Sequence, residues 1–348
     1  MNIFPIKESY LNISTNLYDS DFINLAQIED DKLNFGNKTL FLTEEQKRQL
    51  NSQPLKYFNN VIYIFEFKGI YGVVCDINTN EYKNGNIKCH ELVIPETIQG
   101  MMSNYHGYNA ETAPVLLGHE VEIDYAKYIN RGNYSYQYKV NDWTIYAFEG
   151  ENCDDLCHEL KKINKTYIAD GHHRLYTSSI LSFKDTVVSC LIEFKYLKIK
   201  PIHRVLSNIT PQMFNQARDF ITTKFKTIDP NHKMTKGRVK ITYQDETIAL
   251  EMINLDGDLF WNNDIYRLNT QIISQAFRIF DHSQVDYLSD EQLIERKLKL
   301  KDDEVMIETY RVKLNEFIEC ADKNSIMPPK STWFSPKFPS FLIFKKYQ

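Results

Sequence analysis

The chain lacks the features that mark several large protein classes. No stretch approaches the ~20 consecutive apolar residues of a membrane helix. The opening MNIFPIKESY has no basic segment leading into an apolar core, so no secretory signal is expected. Basic charge is not in excess: 41 Lys and Arg stand against 46 Asp and Glu, a formal net charge of −5. That balance argues against a general nucleic-acid binder, because non-specific phosphate binding needs a basic surface. Cysteine is sparse and scattered (Cys75, Cys89, Cys153, Cys157, Cys190, Cys320), without the density of a disulfide scaffold. Internal repeats and low-complexity tracts are missing too. The expectation is a soluble, cytoplasmic chain with reduced thiols.

What is present suffices for a core. Of the residues, 43% are hydrophobic and 13% aromatic, which sets the chain apart from disordered sequences. At ~100–200 residues per domain, 348 residues suggest two domains or one with a large extension. We divide them into a peripheral lead-in (1–60), a core (61–209) and a C-terminal region (210–348).

In the lead-in, LTEEQKRQL (42–50) predicts a helix with Thr43 as N-cap. VIYIFEF (61–67) and IYGVVCDI (70–77), joined by Lys68-Gly69, predict a hairpin. IKCHELVIP (87–95) begins as a strand, residues 96–108 suit a helix, and PVLLGHEVEI (114–123) is another strand. YSYQYKV and WTIYAF alternate as a strand pair, ENCDDLCHELKKI (151–163) suits a helix, and TVVSCLIEF (186–194) is a β-branched strand. Past Thr210, Pro211 opens a helix to about 226. RVKITYQ, TIALEMI and DIYRLN then read as strands, and QIISQAFRIF, SDEQLIERKLK and YRVKLNEFIECADKN as helices. FPSFLIF near the end reads as a strand returning to a sheet. The fold class is α/β, with the C-terminal region α+β.

The chemistry concentrates in TYIADGHHRLYTSSI (166–180). A short apolar strand meets Asp170 and Gly171, then His172, His173 and Arg174 open a helix-compatible segment. A strand–Gly–helix turn aims backbone N–H groups at one point, and the helix dipole adds to their preference for an anion such as phosphate. Arg174 offers a fixed fork suited to phosphate or carboxylate. A structural reading stands beside this one: Gly171 serving a tight turn, Asp170 as N-cap, Arg174 as a surface charge. Cys153, Cys157 and His158 supply at most half of a zinc site, with no second pair at zinc-finger spacing.

These segments resemble the bacterial and archaeal family called domain of unknown function 1015. The resemblance is carried by IADGHHR followed by Tyr176, and by MPPKSTWFSPK (327–337). IKCHE (87–91), APV (113–115) and PIHRVL (201–206) support it, and LNTQIISQAF (268–277) matches loosely. It runs from about residue 61 to 344, while the first sixty residues match poorly.

The family resembles the ParB/sulfiredoxin fold, which implies a mixed-sheet core with the C-terminal region packed on it. Some relatives are free serine kinases. The resemblance therefore implies that Gly171, His172, His173 and Arg174 hold the phosphates of a nucleotide, ATP or ADP. It implies Glu91 as general base toward a substrate hydroxyl, with Asp170 and His172 as further catalytic groups. His90, His203, Arg204 and Lys330 are expected on the substrate side, and Asp170 as a ligand of Mg2+. Lys330, Ser331 and Thr332 also read as a strap without chemistry. Two other functions stay open: a ParB-like regulatory module that binds CTP or ATP without kinase activity, and a metal hydrolase using Asp170, His172 and His173. The expected partners are a nucleotide and a small amino acid, with a homo-oligomer compatible and membranes and nucleic acid not implied.

Overall fold

The computed structural model describes every residue except Lys38 and, for its side chain, His282. The chain divides into two compact units. The first comprises Met1–Lys88, Val93–Leu197 and Pro336–Gln348, and the second Cys89–Leu92 and Lys198–Ser335.

The first unit is built on the hairpin Leu55–Phe67/Ile70–Asn78. Lys68 and Gly69 both take positive φ (51° and 77°), the conformation of a two-residue turn whose twist matches that of the strands. Val61 to Phe65 are buried without interruption, so both faces of this strand are covered, and its apolar run follows from that. Around the hairpin a mixed sheet assembles in the order Leu25–Ala26, Ala110–Glu111, Ile343–Lys346, Ile6–Asn12, Leu55–Phe67, Ile70–Asn78, Thr186–Glu193, Val115–His119, Thr166–Asp170, Ile87–Lys88. Thr186–Glu193 runs antiparallel to Ile70–Asn78 but parallel to Val115–His119. Tyr136–Val140 and Trp143–Glu149 extend the antiparallel side through Leu55–Phe67.

Two expectations about the chain ends meet different outcomes. The FPSFLIF segment returns as a strand, with Ile343–Lys346 pairing to Ile6–Asn12 and to Ala110–Glu111. The first sixty residues are not wholly peripheral, because Ile6–Asn12 lies inside the sheet. IKESYLN mixes polar and apolar residues too evenly for its burial to show, yet Ser9 and Asn12 are buried beside Tyr10 and Leu11. The 42–50 helix forms at Glu44–Asn51 with a capping box between Thr43 and Gln46.

In the second unit Pro211–Lys224 starts as its sequence requires, with Thr210 Oγ1 accepting the Met213 N–H at 3.2 Å and Pro211 in the first turn. It covers an antiparallel sheet ordered Lys226–Ile228, Glu246–Glu251, Arg238–Tyr243, Val305–Glu308, His203–Leu206, Val285–Leu288. Its core includes Phe214, Ile221, Ile241, Leu250, Ile272 and Ile307. DIYRLN is not a strand: Asp264–Arg267 is helical and continues into Leu268–Ser274. The Asn263 side chain caps the Ile265 and Tyr266 N–H groups, and this local hydrogen bonding outweighs the β preference of Ile and Tyr. Val285–Leu288 and Val305–Glu308 are sheet strands where the sequence pattern suggested only helices. Among the described residues no helix is long and apolar enough to cross a membrane.

The first unit also buries a network of charges. Lys345 Nζ lies 2.8 Å from Asp76 Oδ1, and Lys184 Nζ lies 3.0 Å from Glu111 Oε1. Lys345 also donates to Thr186 Oγ1 at 2.6 Å, and the Tyr105 hydroxyl to Glu111 Oε1 at 2.9 Å. Removing one member of such a set leaves its partner buried and unpaired. Lys345→Met is expected to lower unfolding free energy by ~3–5 kcal/mol, whereas Lys323→Met on the surface should leave the urea midpoint essentially where it is. Urea titrations of the two variants measure the contrast.

Candidate functional site

The strand Thr166–Asp170 and the helix His172–Ile180 are separated by Gly171 alone. The strand pairs antiparallel with Val115–His119, and the register shifts between Leu116 and Leu117, directly opposite its end at Asp170. Such irregularities bend a strand and re-aim its side chains. Gly171 has φ +92°, a left-handed conformation that favours glycine. A Cβ there would also stand 2.9 Å from an Arg174 guanidinium nitrogen, so a larger residue would have to displace that side chain as well. Gly171, not Asp170, is the helix N-cap, and the first intrahelical bond runs from the Leu175 N–H to the Gly171 carbonyl at 3.0 Å. The N–H groups of His172, His173 and Arg174 precede that bond and have no intrahelical acceptor.

Arg174 folds inward. Its guanidinium donates to Asp170 Oδ2 at 2.9 Å, to the Pro114 carbonyl at 3.2 Å and to Asn24 Oδ1 at 3.1 Å. The side chain is only 9% exposed, so its charge is spent bracing the turn from below. Asp170 receives a second cation on its other oxygen: Lys337 Nζ donates to Oδ1 at 2.8 Å. Burial alone would raise the Asp170 pKa, but Lys337 and Arg174 overcome it and hold the carboxyl down at about 2.

The two histidines differ. His172 is buried, and burial pushes its pKa down to about 4 against the pull of Asp170, with His173 and Arg174 adding to the fall. It is therefore neutral at pH 7. His173 is half-buried and accepts the Ile94 N–H at Nε2, 2.9 Å, which puts its own proton on Nδ1 and joins the turn to the start of the helix Pro95–Gly107.

Both Asp170 oxygens are ion-paired, so this carboxylate does not fit a protein-held Mg2+ site. Among the described residues no group of three or more His, Cys, Asp or Glu could hold a metal ion, and neither Asp170 with the two histidines nor Cys153, Cys157 and His158 forms one.

Five further expected residues lie together in the second unit. His90 is fully buried, its Nε2 is 2.9 Å from Thr332 Oγ1, and its ring meets the edge of Phe317. Glu91 forms a parallel bridge with Met327 and is half-buried. Arg204 is 1% exposed and donates to the carbonyls of Ile202 and Lys330, the latter at 2.8 Å, under the Tyr287 ring. Burial lowers its pKa to about 10, with Tyr287 and Glu91 opposing. His203 accepts the Thr309 N–H at Nδ1, 3.1 Å, so its Nε2–H faces Asp290 Oδ1 at 3.0 Å. Lys330 is exposed at φ +60° and meets Arg204 through its backbone carbonyl. Within this unit His203 and Arg204 are engaged as internal clamps.

Sequence reasoning passed over Lys337. It stands at the end of MPPKSTWFSPK, the motif that also holds Lys330. A second lysine in a Pro-rich motif was the available signal, and nothing local distinguishes a lysine that reaches a half-buried carboxylate from one that faces water.

The fold and the turn define an α/β protein with a strand–Gly–helix element suited to an anion. The chain belongs to the family described as protein of unknown function (DUF1015), whose model matches residues 49–258. No curated protein matches. Among solved structures, SbnI with C-terminal truncation from Staphylococcus aureus aligns at 10% identity and TM-score 0.47, over 77% of this chain and 85% of its own. A free serine kinase in complex with AMP aligns at 14% and 0.43, over 77% and 92%. A conserved hypothetical protein from Pyrococcus furiosus aligns at 14% and 0.43, over 77% and 93%. These likenesses are low, and the functional reading rests on the turn itself.

The histidine shifts predict an acid-sensitive fold. A buried neutral His172 binds its proton near pH 4, whereas the unfolded chain binds it near pH ~6.5. Its contribution is thus complete above pH ~6.5 and lost as pH falls through about 4. His119, fully buried, is pushed down to about 4 by burial as well and adds in the same window. Asp170 contributes lower, between its unfolded value of ~3.9 and about 2. Denaturation curves from pH 7.5 to 4 should show the loss, and His172→Gln should remove roughly half of it, up to ~3 kcal/mol.

Proposed function

We propose that this protein is a small-molecule kinase that transfers a phosphoryl group from ATP or ADP to the hydroxyl of free L-serine or a similar amino acid, giving O-phosphoserine. The observation that carries the proposal is the left-handed Gly171 turn, with the helix N–H groups of residues 172–174 beyond it. Phosphoryl transfer asks a protein chiefly for positioning and for positive potential around the moving phosphate. Backbone N–H groups at a braced helix start supply both without a flexible side chain. Arg174 acts as a positioning residue, because Asp170 and Asn24 hold its guanidinium. Neutral His172 and His173 serve as hydrogen-bond partners of phosphate oxygens.

In the reaction the serine oxygen bonds to the terminal phosphorus and the bond to the bridging oxygen breaks. ADP or AMP leaves, and the hydroxyl proton passes to a base, assigned to Glu91 on the family resemblance. His90, His203, Arg204 and Lys330 are assigned to the serine side on the same ground. Magnesium would enter bound to the nucleotide phosphates, not to Asp170.

Incubation with ATP or ADP, magnesium and L-serine should yield O-phosphoserine, read by phosphorus NMR. Glu91→Gln should lower turnover by ~10²–10⁴-fold with nucleotide affinity kept, and Gly171→Ala should abolish nucleotide binding. If no nucleotide gives product, the kinase reading is lost. Tight nucleotide binding with no turnover would favour the regulatory module.

A further inference from the structure

A cavity of about 210 Å3 in the first unit lies beside the helix that follows the Gly171 turn. Phe22, Asn24, Phe41, Met101, Asn104 and Tyr108 line most of it. Two contacts tie it to the turn. Asn24 Oδ1 accepts from the Arg174 guanidinium at 3.1 Å, and Met101 Sδ accepts from Thr177 Oγ1 at 3.9 Å. From Gly171 to Thr177 is six residues, ~9 Å along a helix axis, a length that an extended ribose diphosphate covers.

The chemistry of the lining is selective. No ionisable Asp, Glu, Lys, Arg or His lines the cavity, so it suits neither a phosphate nor the zwitterionic head of an amino acid. Its walls are aromatic, aliphatic and thioether, and its polar groups are the amides of Asn24 and Asn104 and the phenol hydroxyls of Tyr105 and Tyr108. Asn24 has its oxygen held by Arg174, which leaves its Nδ2–H donors for a ligand, and the exposed Asn104 amide offers donor and acceptor. Phe41 at the rim is 62% exposed, an apolar ring presented to solvent. The volume falls below the ~300–1,000 Å3 of sites that enclose whole ligands, which suits one flat ring system. Aromatic walls with amides at the edge match a nucleobase, whose faces stack and whose rim carries donors and acceptors.

We infer that this cavity is the nucleobase subsite for a nucleoside di- or triphosphate whose phosphates sit at the Gly171 turn. The inference rests on the proposed function for the phosphate position and adds the base.

Calorimetry of the full chain with ADP and with inorganic pyrophosphate tests it. The wild type should bind both, ADP more tightly. Phe41→Ala, which trims an exposed ring, and Met101→Trp, which fills the cavity, should each weaken ADP by roughly tenfold or more, the scale of one lost stacking contact. Pyrophosphate affinity should not change. ADP binding that equals pyrophosphate binding, or that survives both substitutions, overturns the base subsite and leaves the phosphate turn standing. A wild type that binds neither ligand overturns the phosphate turn and the subsite together.

Discussion

The carboxylate of Asp170, held between Arg174 and Lys337, is the contact on which the geometry of the turn depends. One oxygen meets a residue in the first turn of the following helix, and the other meets a lysine 167 residues further along the chain. The strand end, the helix start and the segment after Ser335 are thereby pinned at one point. Drawing a carboxylate even partly out of water is costly unless cations and hydrogen bonds compensate. Here they compensate fully, since Asp170 stays ionised down to about pH 2.

That pinning decides the roles of its neighbours. Arg174 has the right chemistry for a phosphate clamp, yet Asp170, Pro114 and Asn24 already hold it. The turn it supports is held in a left-handed conformation that glycine accepts without strain. His203 and Arg204 repeat the pattern in the second unit, where Asp290, Thr309 and the Lys330 carbonyl hold them. In both units a polar motif of catalytic appearance also braces the surrounding fold through internal hydrogen bonds.

The legible parts of the fold were those set by local physics. The Lys68-Gly69 turn, the Thr43 and Thr210 caps and the β-branched run Thr186–Glu193 each follow from interactions within a few residues. The strand–Gly–helix turn was legible for the same reason. Asp264–Arg267 was misread because a single capping asparagine outweighed the β preference of its neighbours. The burial of Ile6–Asn12 was not legible because it comes from two strands distant in sequence, Leu55–Phe67 on one side and Ile343–Lys346 on the other.

The sequence by itself determined where a left-handed glycine would stand and which residue types would crowd around it, because backbone conformation and side-chain chemistry are local properties. It could not determine which of those side chains would face inward. Two lysines of one motif, Lys330 and Lys337, are equivalent on paper, and only the tertiary structure sends Lys337 to Asp170. The reason is physical: a salt bridge across 167 residues forms only after the sheet has closed. Its strength then comes from the burial that the closed sheet supplies.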